Sequence, residues 1–112
     1  MKKRADRVSQ LLRQIISEAI TFRWKHPHAQ QITVQQVKVT DNIRSAKVYV
    51  GIMGEEVTKA EALEGLQDAV GFFKNEISQQ TKLQFMPELK FIYDDTLDHA
   101  DRINNLLNSI KK

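Results

Sequence analysis

An α+β fold, with helices laid over one face of a small sheet, is what this sequence predicts. Three observations predict it. Apolar residues recur at helical spacing near both ends and through the middle of the chain. Between these stretches they alternate as in strands, and the alternation puts apolar side chains on one face only. That face needs a second layer, which the helices must supply. The order is helix, strand, strand, long helix, strand, helix, with no linker, repeat or low-complexity segment in the 112 residues. A chain of this length supports one modest core and is too short for two, so residues 1–112 are expected to form one domain.

The first helix is expected over residues 4–22, where Val8, Leu11, Leu12, Ile15, Ile16, Ala19 and Ile20 share a stripe. The segment "KHPHAQQ" breaks it, because Pro27 disfavours helix at His26. In "ITVQQVKVT" the pair Ile32 and Val34 alternates in one phase and the pair Val37 and Val39 in the other. Gln35 and Gln36 absorb the change, which predicts a bulge or a strand that begins late. After the turn-like "DNIR", "SAKVYVGI" alternates cleanly. Ala46, Val48, Val50 and Ile52 lie on one face and Lys47 and Tyr49 on the other, so the two runs form a hairpin with one buried face. Gly51 and Gly54 are expected to end it. Thr58-Lys59-Ala60-Glu61 has the form of a capping box and predicts the start of the next helix.

That helix carries Leu63, Leu66, Val70, Phe73 and Ile77 on one stripe and extends to about Gln80. It would be roughly twice the average length of about 11–12 residues. Gly71 stands inside it, at a cost of roughly 0.5–1 kcal/mol relative to alanine. Phe72 lies off the stripe. On a continuous helix Phe72 is simply an exposed aromatic. If the helix breaks within 69–71, the second piece resets its rotation and Phe72 and Phe73 both find cover. Length, glycine and aromatic together favour the break. A kinked helix pair between two strands is also the core of a KH domain, where a tight turn lets backbone N–H groups approach the phosphates of a single strand. The usual GxxG signature is absent, and Ala69-Val70-Gly71 stands in its place. The third strand is expected over 88–93, entered through Pro87. A last helix follows within 95–110, with Ile103, Leu106, Leu107 and Ile110 on its apolar face.

Composition excludes several kinds of chemistry. With no cysteine there is no disulfide, thiolate metal site or cysteine nucleophile. No P-loop, G-x-S-x-G or H-E-x-x-H occurs. No run approaches the roughly 18 apolar residues of a membrane span, and no signal-peptide pattern opens the chain. The net charge is +3 and the pI about 9.3. The first 25 residues carry Lys2, Lys3, Arg4, Arg7, Arg13, Arg23 and Lys25 against Asp6 and Glu18, whereas 55–68 is acidic. A basic end on a small domain favours a polyanionic partner over a solvated tail by a narrow margin.

Four stretches resemble the ribosome-binding factor A family of bacterial small-subunit assembly factors: "RADRV" at the start, "AKVYV" in the second strand, "AVG" at the helix break, and "PELKFIYDDTLDHADRI" near the end. The resemblance covers essentially the whole chain. It implies a type II KH-like domain, a three-stranded sheet covered by helices with Ala-x-Gly at the kink in place of GxxG. It further implies a protein without enzymatic activity that binds 16S rRNA and the free or precursor 30S subunit, promotes maturation of the 16S rRNA 5′ end, matters most in the cold, and works as a cytoplasmic monomer. No cofactor, small-molecule substrate or membrane is implied. A KH module for another single-stranded RNA, or a protein-interaction module, are the alternative readings. Asn42 departs from the acidic residue frequent in the family's hairpin turn, and Asn75, Glu76, Gln79 and Gln80 dilute the charge after the kink.

The candidate RNA-binding residues are Arg4, Arg7, Lys47, Ala69, Gly71, Lys74 and Lys82. Arg4 and Arg7 flank the apolar stripe of the first helix on one side and Arg13 lies beyond the other, so they form no single patch. Tyr49 and Trp24 are the aromatics able to stack on a base, although Trp24 is better placed to pack over the helix end. The cluster Asp94, Asp95, Asp98, His99 and Asp101 lacks EF-hand spacing and is read as helix capping; His26 and His28 are read as ordinary loop histidines, so no metal is expected.

Overall fold

The computed structural model describes residues 3–83 and 86–94. The expected helix within 95–110, with most of the acidic cluster, lies outside them. Helix α1 (Lys3–Glu18) continues into a π-helical turn (Ala19–Arg23), and a short 3₁₀ turn (Ala29–Gln31) leads into β1 (Ile32–Val39). Then come β2 (Ser45–Ile52), α2 (Glu56–Asp68), α3 (Val70–Gln80) and β3 (Glu88–Tyr93). The sheet is mixed, in the order β1-β2-β3. β1 and β2 are an antiparallel hairpin, while β2 and β3 run parallel, which requires a crossover that α2 and α3 provide.

Alternation decides which sheet face the helices cover. Ile32, Val34, Val37, Ala46, Val48, Val50, Ile52, Leu89 and Phe91 are buried, and their alternating neighbours are exposed or half-buried. Against this face lie Ala5, Val8, Leu12, Ile15, Ile16, Ala19 and Ile20 of the first helical segment, Ala62 and Leu66 of α2, and Phe73 and Ile77 of α3. Leu11, expected on the stripe, is 40% exposed at its edge. The hydroxyl of Ser9 accepts from the Val39 N–H at 3.2 Å and ties α1 to β1.

The expected bulge is present: Val34 pairs with Val50 and Gln36 with Tyr49, leaving Gln35 as the extra residue. Its amide lies over Gly51, where a Cβ would come within 2.4 Å of Gln35 Nε2. Gly51 therefore belongs inside β2, not at its end, and makes room for the bulged side chain. Gly54, with φ 127°, is the residue that turns the chain. The capping box does not form. The helix starts earlier, at Glu56, so Thr58 lies within its first turn, and Glu61 accepts instead from His28 Nε2 at 2.9 Å.

Candidate nucleic-acid interface

The helix breaks where the sequence places the break. Ala69 leaves the helical region, with φ −96° and ψ 15°. Its N–H closes the end of α2 by bonding Gly65 O and Leu66 O at 3.0 and 3.2 Å. The ladder is in place again where Phe73 N–H bonds Ala69 O at 3.1 Å. The change of direction lets Phe73 point into the core while Phe72 lies half-buried edge-on against it, 5.1 Å between ring centroids.

Two features make this corner suited to an external partner. No side chain caps the start of α3, so the N–H groups that every helix leaves open in its first turn are not capped from within. Gly71, the second residue of α3, is exposed, and a Cβ there would meet nothing within 4 Å. Neither packing nor a positive φ requires glycine at this position. A bare backbone facing open space, at the positive end of a helix, can admit an anion to close approach.

The seven candidates do not form one patch. Ala69, Gly71 and Lys74 share the break and the first turns of α3. Lys74 is half-buried and its ammonium lies 3.3 Å from Glu88 Oε2, so an anionic ligand there would compete with a carboxylate. Lys82 is exposed just past the other end of α3. Arg4 and Arg7 are exposed on α1. Lys47 stands on the outer face of the sheet, away from the helical layer.

Trp24 stacks on His26, with centroids 4.7 Å apart and planes 10° apart, and lies 5.7 Å from Phe73; it packs on the helix end. His28 is held between Gln31 and Glu61, each at 2.9 Å. Among the described residues no group of three or more His, Asp or Glu is placed to hold a metal, and no helix is long and apolar enough to cross a membrane.

Residues to which the sequence assigns no structural role build this region from behind. Glu76 is buried, 6% exposed, and receives Arg23 from the π-helical turn. Gly65 is a contact point, since a Cβ there would lie 2.5 Å from His26 Nε2. A glycine within a helix, facing a loop that carries an aromatic pair, was the available signal for the second. For the first there was none in the local pattern, because Arg23 and Glu76 are 53 residues apart.

These features describe a small α+β fold whose broken helix pair brings the start of α3, uncapped by any side chain, to the surface. The chain belongs to the ribosome-binding factor A family, whose model matches residues 4–107. It is 39% identical to ribosome-binding factor A of Halothermothrix orenii over 111 residues, covering 99% of this chain and 91% of that one. The crystal structure of ribosome-binding factor A from Thermus thermophilus superposes with a TM-score of 0.70 at 21% identity, covering 80% of this chain and 94% of that one. The homology model of the Thermus thermophilus protein, as fitted into a cryo-EM map of its complex with 30S, gives a TM-score of 0.65 at 22% identity, covering 77% and 90%.

Proposed function

We propose that residues 1–112 act as a single KH-like ribosome-binding domain of type II order, with Ala69-Val70-Gly71 in the role of GxxG. The partner is the immature 30S subunit through its 16S rRNA, met in the cytoplasm by the protein as a monomer. The observation that carries this reading is the exposed Gly71 at the uncapped start of α3, in a chain that belongs to this family. The Thermus thermophilus relative, fitted into the map of a 30S complex, supports the choice of subunit.

Phosphates approach the N–H groups of α3 at the break, and Lys74, Lys82, Arg4 and Arg7 supply charge around the helical layer, with Lys47 on the sheet. The protein acts by binding and catalyses no reaction. A ligand that prefers one rRNA arrangement shifts the population toward it by no more than its differential affinity for the two. Cooling stabilises misfolded RNA duplexes, so the shift matters most in the cold and at the late step that matures the 16S 5′ end.

The test is deletion of the gene and fractionation of lysates on sucrose gradients at low temperature. Growth should become cold-sensitive, free small subunits should accumulate and 16S rRNA should keep extra 5′ sequence. The intact gene should rescue these defects, and a folded Lys74→Glu/Lys82→Glu variant should not. Normal subunit profiles in the cold would remove the assembly role and leave a KH module for another single-stranded RNA.

A further inference from the structure

The outer face of the sheet carries a feature that the helix break does not explain. Lys38 on β1 lies directly opposite Lys47 on β2, and Lys47 directly opposite Lys90 on β3. The register thus assembles one row of three exposed lysines across all three strands, from positions far apart in sequence. Opposed residues in a sheet share a face, and like charges there are destabilising. Among the described residues none of the three makes an ion pair. The Lys38 ammonium instead sits 5.5 Å from the centroid of the Tyr49 ring, which holds it over the sheet. Glu88 lies two residues from Lys90 on β3, but Lys74 engages its carboxylate. A row of like charges without counter-charge weakens the sheet, so a partner must supply the opposite sign if the row is to be favourable.

We infer that this row is a second RNA contact, in which the ammonium groups of Lys38, Lys47 and Lys90 bind phosphates of a strand laid across the open sheet face. The inference rests on the rRNA reading above for the identity of the RNA; the phosphodiester chemistry follows from the row. Strands lie about 4.8 Å apart, so the row covers roughly 10 Å. Spaced point charges suit a backbone, which they bind without reading sequence. The face lies on the other side of the sheet from the helical layer and Gly71. The domain therefore holds two RNA segments at once, one on each layer, which is a means of fixing their relative position.

The full-length Lys38→Gln/Lys47→Gln/Lys90→Gln variant tests this, with Lys90→Gln alone as a milder version and Lys25→Gln, an exposed loop lysine, as the control. Each is titrated with a labelled oligouridylate across a salt series and sedimented with precursor small subunits. The triple variant should lose about two units of the log–log salt slope for the oligonucleotide, at roughly 0.7 per phosphate contact on a single strand, and Lys90→Gln about one third of that. Its melting temperature should stay level or rise, because like charges have been removed from opposed positions. Wild-type behaviour of the triple variant on both probes, or a slope loss per lysine no greater than that of Lys25→Gln, overturns the row as a site and leaves the ribosomal reading intact. Wild-type protein that binds oligouridylate through the row yet ignores subunits overturns the ribosomal reading and keeps the row. Binding to neither probe removes both.

Discussion

Arg23 reaches Glu76 from the π-helical turn, and the pair shows how one residue's environment sets its role. Glu76 is the one buried charged residue among the described residues, whereas the Arg23 side chain is 40% exposed. Removing the arginine strands a carboxylate in the core. We expect Arg23→Ala to lower stability by about 2 kcal/mol in a denaturant titration, below the full cost of breaking a buried pair because water reaches one side. Adding Glu76→Gln should recover part of that loss; equal stability of Arg23→Ala and wild type would show that the pair contributes nothing. Gly65 is the second such residue. Alanine gains about 1 kcal/mol of helix propensity there. It also drives a Cβ into His26, whose ring is fixed by Trp24 on one side and by the His28 N–H, 3.1 Å from its Nδ1. Overpacking of roughly 1–3 kcal/mol should win. Gly65→Ala should therefore be destabilised by about 1 kcal/mol with an altered Trp24 fluorescence, and an unchanged spectrum would mean that the stack yields freely.

At the scale of elements, α3 begins in a way that sacrifices helix stability. Gly71→Ala should stabilise the domain by a few tenths to about 1 kcal/mol in thermal or denaturant unfolding, since helix propensity rises and the added methyl meets nothing. A loss of stability would mean that the glycine is needed by the fold. The break, the bulge at Gln35 and β3 were all legible in sequence because each leaves a local mark: an overlong helix with a glycine and an off-stripe aromatic, a phase change between alternating pairs, a strand entered through a proline. The capping box was not, because a motif match competes with the whole packing of the chain; α2 starts two residues before Thr58, and Glu61 is drawn to His28. Gly51 was misplaced for a related reason. Its neighbour Gln35 lies on another strand, and only the register brings the two together. The candidate site divides in the same way. Gly71 could be found from its own helix, whereas the pairing of Lys74 with Glu88 and the alignment of Lys47 with Lys38 and Lys90 are products of tertiary structure.

At the scale of the whole molecule, one helical layer and one open sheet face divide the labour. The helices build the core and present the break; among the described residues the outer sheet face carries the three lysines, with Glu88 at one end of β3 and Tyr49 opposite Ile92 beside the row. Charge at both surfaces should make binding steeply salt-dependent, and replacing a lysine that touches phosphate should lower the slope by about 0.7 on a single strand. The most direct test of the account compares binding with stability in Gly71→Leu. Leucine suits a helix better than glycine and its Cβ would meet nothing within 4 Å, so the variant should fold at least as stably as wild type. Its side chain also covers the backbone that the phosphate must approach. Sedimentation with precursor small subunits should show binding lost, by about tenfold or more, at unchanged or raised melting temperature, on the scale of about 1.5–3 kcal/mol for hydrogen bonds to charged groups. Wild-type binding by Gly71→Leu, or a loss of binding that only tracks a loss of stability, would contradict the account.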